Sequence, residues 1–267
     1  MTFSWDPSDY EKNSSVQFAL ARELIDALAL QRDDRVLDIG CGDGKVTAEL
    51  AGRVSDGRCV GIDSSAAMVG LARSRFPRSR YPNLEFEEAD ASALRYQGEF
   101  TAVFSNAALH WVRDHGPVLQ GISRSLRPRG RVLLQMGGEG NAAEIVRAFD
   151  EVCARADWRE HFEGFEFRYG FYGCEEYRGW LCDAGLDPGR VELIGKDMVH
   201  DGRNALEGWI RTTWIPWTER VPEASRQRFV TEVVARYQER HPVDEEGRTH
   251  VHMVRLEVGA TKPESTT

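Results

Sequence analysis

The sequence predicts an open α/β fold, a mostly parallel sheet flanked by helices, and three observations predict it. Between Arg35 and Met136, five short apolar runs alternate with helical patterns. The first run, Val36–Ile39, leads straight into Gly40, Gly42 and Gly44 and then into a helix, so strand, tight turn and helix form one crossover. Two further apolar runs, Val191–Val199 and Val251–Gly259, come late and are separated by helical sequence.

Taken in order, Asn13–Leu30 is an amphipathic helix, with Val16, Leu20, Leu24 and Leu28 recurring every fourth residue. Val36–Ile39 is the first strand and Lys45–Ala51 the first helix of the alternating region. Cys59–Asp63 is the second strand, and Ser64 or Ser65 caps the helix Ala66–Arg75. Leu84–Glu87 is the third strand, Ala91–Leu94 a short crossover and Phe100–Ser105 the fourth strand. Pro117–Leu126 is a helix, Arg127–Gly130 a turn and Gly130–Met136 the fifth strand. Strands separated by helices pair in parallel through right-handed crossovers. Asn141–Ala156 is helical, 157–173 is irregular and rich in aromatics, and Cys174–Ala184 is a helix stopped by Gly185. Asn204–Trp214 and Glu223–Arg240 are helices between the two late strands.

At 267 residues the chain holds a sizeable core. A net charge of −9 argues against a nucleic-acid partner, which needs a positive face. Five scattered cysteines without metal-ligand spacing read as free thiols in a reducing compartment, and no metal site is expected. With no secretory signal and no apolar run of about 20 residues, a cytoplasmic protein without a membrane partner is the expectation. The first twelve residues carry Trp5 and Tyr10, which read equally as an aromatic tether or as a flap at a cofactor mouth, where Tyr10 would touch the cofactor.

The glycine cluster is spaced Gly-x-Gly-x-Gly. A dinucleotide fingerprint would place its third glycine at position 45, which is Lys45. Asp38 stands two residues before the first glycine, where its charge would repel a pyrophosphate and welcome a cation. Asp63 ends the second strand 19 residues beyond Gly44, where an acid can accept from both hydroxyls of a ribose. A nucleoside with a ribose diol and a positive charge, lacking a pyrophosphate, satisfies all three conditions, and S-adenosylmethionine (SAM) is such a molecule.

Asp38-Ile-Gly-Cys-Gly-Asp-Gly44, followed by Asp63 and by Asp90-Ala91, resembles the class I SAM-dependent methyltransferases, over residues of about 33 to 262. The resemblance implies a Rossmann-like seven-stranded mixed sheet with the last strand antiparallel, flanked by helices, and a helical lid inserted late. It implies that Asp38 and the Gly40 backbone hold the methionine end of SAM beside Gly42, that Asp63 and the adjoining Ser64 take the ribose, and that Met68 packs on the adenine. Asp90 would accept from the adenine amino group, with the Ala91 amide beside it. Met68 reads equally as a core residue, and an Asp before a helix also serves as a cap. After the fourth strand, Asn106 would lie near the methionine end, and His110 and Trp111 would face the sulfonium and the incoming nucleophile as the candidate catalytic pair. A packed tryptophan at a helix start explains Trp111 equally well.

Trp5-x-Pro7-x-x-Tyr10, His110-Trp111 and Trp209-Ile-Arg-Thr-Thr-Trp214 further resemble the trans-aconitate methyltransferase branch, whose members methylate carboxylates of small acids. The chain departs from it at Asp43-Gly44-Lys45, where that branch often has Pro-Gly-Asn. Arg211 and Trp214 are the candidate substrate contacts, with Arg168 and Arg203 as alternatives for the arginine and Trp209 and Trp217 as further lining. The organisation that follows is a single methyltransferase domain over 1–267: an N-terminal flap and helix (1–32), a SAM-binding core (33–140), helices and an aromatic-rich connection (141–190), and edge strands (191–262) with an inserted lid (203–241). The expected activity is methyl transfer from SAM, with S-adenosylhomocysteine as product, to a small-molecule acceptor, foremost a carboxylate oxygen. An O- or N-methyltransferase of a larger natural product and a non-catalytic SAM-binding regulator are the alternatives, and the chain is expected as a monomer or homodimer. No Asn-Pro-Pro-Tyr-like tetrapeptide follows the fourth strand, which again argues against a nucleic-acid substrate.

Overall fold

Seven strands form one sheet in the order β3-β2-β1-β4-β5-β7-β6 in a computed structural model that describes residues 15–167 and 169–264. The expected positions of Trp5, Tyr10 and Arg168 lie outside the described residues. The strands are β1 (Arg35–Ile39), β2 (Arg58–Asp63), β3 (Leu84–Glu88), β4 (Phe100–Asn106), β5 (Leu126–Gly137), β6 (Asp187–His200) and β7 (Thr249–Thr261). The pairs β3–β2, β2–β1, β1–β4 and β4–β5 are parallel, and the sheet as a whole is mixed, with an antiparallel pair. The helices are α1 (Ser15–Ala27), α2 (Lys45–Arg53), α3 (Ala66–Arg75), α4 (His115–Ser125), α5 (Ala143–Cys153), α6 (Cys174–Asp183), α7 (Gly202–Thr213), α8 (Ile215–Thr218) and α9 (Glu223–Gln238).

The chain divides into two compact units. The first comprises residues up to Glu139, then Tyr169–Ile194, then Leu256 onward; the second comprises Gly140–Arg168 and Gly195–Arg255. The second unit takes in more than the expected insertion at 203–241, because α5 and the 3-10 turn Arg159–Phe162 belong to it.

The central strands β1, β2 and β4 are buried on both faces, as parallel strands under helices must be. Side chains alternate along β1. Leu37 and Ile39 join Val60, Val103 and Leu134 against α4 and α6, while Val36 joins Cys59, Ala102 and Phe104 against α1, α2 and α3. The order of strands reverses between β1 and β4, so the loops after those strands flank the switch point where open α/β sheets bind ligands.

Two boundaries differ from the sequence reading for identifiable reasons. Helix α4 starts at His115 rather than Pro117, because the Asp114 carboxylate accepts from the Gly116 amide and caps the helix earlier. The expected turn at Arg127–Gly130 is a bulge within β5. Phe100 pairs with Leu126 and Ala102 with Arg131, so the extra residues of β5 are looped out, with Arg129 at φ +62°. The Arg129 amide donates to the Lys262 carbonyl and the Lys262 amide to the Gly130 carbonyl, which keeps the bulge paired.

The second unit is built on aromatic side chains. Phe149 of α5 stacks on Trp217 at 4.9 Å between centroids, and Phe229 of α9 meets Trp158 at 5.1 Å and Phe162 at 5.4 Å. The aromatic run 158–172 is thereby split. Trp158, Phe162, Phe165 and Phe167 belong to the second unit, and Tyr169, Phe171 and Tyr172 to the first. All five cysteines are free thiols. No helix among the described residues is long and apolar enough to cross a membrane.

Candidate functional site

The carboxyl ends of β1, β2, β3 and β4 supply the site. After β1, Gly40, Gly42 and Gly44 all have positive φ (+79°, +54° and +83°). The loop is tied to the next strand, because the amides of Gly40 and Cys41 both donate to the Ile62 carbonyl at 2.8 and 2.9 Å. Gly40 is required twice over. Its φ favours glycine, and a Cβ there would lie 2.1 Å from the Ala108 Cβ in the loop after β4. That packing between the two switch-point loops joins residues 68 positions apart, and no local signal in the sequence announces it.

Asp38 is 2 % exposed. Its Oδ2 accepts from the Thr47 hydroxyl of α2 at 2.7 Å. Burial pushes the Asp38 carboxyl up to about 7; the Thr47 hydrogen bond opposes the rise and the nearby Asp63 charge adds to it. Asp63 is fixed by two amides: Gly42 donates to Oδ2 at 3.0 Å and Ser65 to Oδ1 at 2.9 Å. Burial raises its pKa and these two bonds pull it back. A carboxylate can accept about four hydrogen bonds, so a pair of hydroxyls can still be received. Ser64 beside it is exposed, and Met68 is buried, its Cε 3.7 Å from where a Gly42 side chain would begin.

The Ala89 amide donates to the Asp63 carbonyl at 3.0 Å, which sets the Asp90–Ala91 step beside the end of β2. Asp90 caps the 3-10 turn Ala91–Ala93, its Oδ1 accepting from the Ser92 amide and hydroxyl at 2.8 and 2.7 Å. The cap engages one carboxylate oxygen, Oδ1.

Asn106 ends β4, and its side-chain Oδ1 is buried with no hydrogen-bond partner among the described residues. Ala107 follows with φ +55°, and the 3-10 turn Leu109–Trp111 comes next. The His110 and Trp111 rings lie 5.7 Å apart and both meet Tyr169, at 5.7 and 4.8 Å, in edge-to-face contact; Phe171 lies 6.2 Å from His110. The Gly170 amide donates to the His110 carbonyl at 2.9 Å, so the 169–172 segment is held against this turn by backbone as well as by rings. Thr47 and Ala108 thus adjoin the site although the sequence reading assigned them no role, and Tyr169 and Phe171 come from the aromatic stretch 158–172, read from the sequence as able to build an apolar pocket.

Arg211 and Trp214 belong to the second unit. Arg211 is exposed on α7 and donates to Gln227 at 3.4 Å. Trp214 is 1 % exposed and packs on Phe149, Trp209 and Trp217. Arg203 is engaged with Glu207 at 3.0 Å.

The donor set suits a cationic nucleoside. A buried carboxyl that holds its proton to about pH 7 gains from an added cation, and the orphaned Asn106 oxygen needs a donor. Residues 36–130 match the family described as a methyltransferase domain. Over 263 residues the chain is 29 % identical to trans-aconitate 2-methyltransferase of Shigella dysenteriae, covering 97 % of this chain and 99 % of the relative. Over 198 residues it is 33 % identical to an uncharacterized methyltransferase of Schizosaccharomyces pombe, covering 72 % of this chain and 74 % of that one. The fold is shared with the YcgJ protein of Bacillus subtilis, at TM-score 0.65 and 17 % identity, covering 92 % of this chain and 98 % of that one. Sequence and fold together place the chain in the class I SAM-dependent methyltransferases.

Proposed function

We propose that the protein binds SAM at the carboxyl ends of β1 to β4 and transfers its methyl group to a carboxylate oxygen of a small organic acid. The observation that carries the donor side is a buried acid, Asp38, beside a half-buried one, Asp63, at the ends of neighbouring strands. Asp38 lies against the glycine loop, and Asp63 is held by the Gly42 and Ser65 amides. Asp38 and Asn106 would receive the methionine end, Asp63 the ribose and Asp90 the adenine. The acceptor side rests on the near full-length similarity to relatives named for methylating trans-aconitate.

SAM supplies a methyl group already activated on a positively charged sulfur. The protein's part is alignment and exclusion of water. The rings of His110, Trp111, Tyr169 and Phe171 form a wall suited to both. A carboxylate acceptor, with a pKa of about 4, is ionised at neutral pH and needs no general base.

His110→Ala is therefore expected to lower kcat with an acid acceptor by less than about 10-fold, through lost packing, and to leave the pH profile between 6 and 9 unchanged in shape. A loss of about 100-fold or more that recovers at high pH would show base catalysis and point to a phenol or amine acceptor instead.

A further inference from the structure

Helix α4 opens with a histidine that takes no part in the site described above. His115 is 1 % exposed. Its Nε2 lies 2.9 Å from the Leu109 carbonyl and 3.1 Å from the Val112 carbonyl. Carbonyl oxygens only accept, so Nε2 carries the hydrogen and shares it between them. Nδ1, 3.1 Å from the Tyr177 hydroxyl, is then an acceptor. Tyr177 is fully buried in α6, and burial pushes its phenol well above the usual range, so it keeps its proton and donates. The other neighbour of that hydroxyl is the Met136 sulfur at 3.8 Å, a weaker acceptor than an imidazole nitrogen. Burial also pushes the His115 pKa down; its backbone hydrogen bonds and the charges of Asp114 and Glu176 oppose this, and the ring is neutral at neutral pH.

Leu109 and Val112 bracket His110 and Trp111. The two carbonyls held by His115 therefore fix the peptides on either side of the pair, while Gly170 holds the His110 carbonyl from the other direction. Space there is tight: a side chain on Gly170 would begin 2.7 Å from the Val112 carbonyl oxygen and 2.6 Å from the Tyr172 ring. Tyr172 meets the His115 ring edge-on at 4.9 Å, so the histidine has no room to flip without displacing its neighbours.

We propose that His115 and Tyr177 are positioning residues for methyl transfer: the Leu109 and Val112 carbonyls set the tautomer of His115, the Tyr177 hydroxyl holds its Nδ1, and the ring so fixed anchors the turn that presents His110 and Trp111. The inference rests on the acceptor-side role proposed for that turn.

The test uses the full-length protein with nitrogen-labelled histidine, the His115 signals being identified by their loss in His115→Gln. In the wild type, His115 should carry its proton on Nε2 and be neutral at pH 7.5. Tyr177→Phe, which removes only a hydroxyl, should leave the proton on Nε2, shift the Nδ1 signal as it loses its donor, and shift the Trp111 indole signal. It should also lower kcat by about 3-fold while leaving SAM affinity within about 2-fold. His115→Gln, which keeps an N–H donor, should retain more kcat than His115→Leu. A proton on Nδ1 in the wild type, or an unmoved Trp111 signal and wild-type kcat in Tyr177→Phe, would overturn the proposal. The nitrogen and indole signals are read without acceptor. A wild type that methylates no acid therefore sinks the functional proposal, while the positioning role is still decided by those signals.

Discussion

Gly40→Ala is expected to cost about 3 kcal/mol of stability and to weaken SAM binding by at least about 10-fold. Two independent penalties meet at this residue. A left-handed backbone at φ +79° strains any residue with a side chain, and the new methyl would lie 2.1 Å from the Ala108 Cβ. The loop cannot retreat cheaply, because the amides of Gly40 and Cys41 both bind the Ile62 carbonyl. Relief must come from moving the Ala107–Ala108 step or from breaking those bonds, and either deforms the proposed methionine side of the site. Adding Ala108→Gly should restore the steric part and leave the backbone part. The double variant is thus more stable than Gly40→Ala and less stable than Ala108→Gly alone. Denaturant melts of the three variants check this. A Gly40→Ala protein with wild-type stability would show that the two loops do not pack as described.

Asp38→Asn is expected to pull stability and affinity in opposite directions. The native carboxyl holds its proton to about pH 7, whereas in the unfolded chain it ionises near 3.8. Between those values the native state binds more protons than the unfolded state, so stability falls as pH rises through the window. At pH 8 the wild type has lost up to about 4 kcal/mol that it held in acid, and the amide, which never ionises, does not lose it. The ligand-free variant should therefore melt at least about 3 °C higher than the wild type at pH 8 and show little difference near pH 4. Its SAM affinity should fall by about 30-fold at pH 8, because the charge that attracts the cation is gone. Wild-type affinity should rise between pH 5.5 and 7.5 as Asp38 loses its proton, and that rise should vanish in the variant. Scanning calorimetry and titration calorimetry read the two effects separately. A variant that is both less stable and binds SAM normally would remove Asp38 from the assignment.

Much of this site was legible in the sequence because its parts are local. The ends of β1, β2 and β3 are marked by a change from apolar residues to Gly or Asp, and that of β4 by Ser105-Asn106. Asp38, Asp63, Asp90 and Asn106 accordingly come out at the same edge of the sheet. What escaped was contact between distant segments. Nothing near Gly40 announces Ala108, and nothing in 157–173 tells that the run divides between Phe167 and Tyr169, with earlier rings packing the second unit and later ones facing His110 and Trp111. Pro128 and Gly130 carry the composition of a turn, yet strand pairing on both sides absorbs them as a bulge. His115 lies outside the helix that the sequence places at Pro117–Leu126, and nothing marks it until α6 brings Tyr177 to its Nδ1.

The central claim is that a methyl group moves from SAM to a carboxylate. Incubating the protein with SAM carrying a deuterated methyl group and a panel of small di- and tricarboxylic acids, trans-aconitate among them, and following products by mass spectrometry tests it most directly. The expected result is a labelled product that releases its methyl group as methanol on mild alkaline hydrolysis, as an ester does. Saturable SAM binding with no label in any acid, or label that survives alkaline hydrolysis, would contradict it.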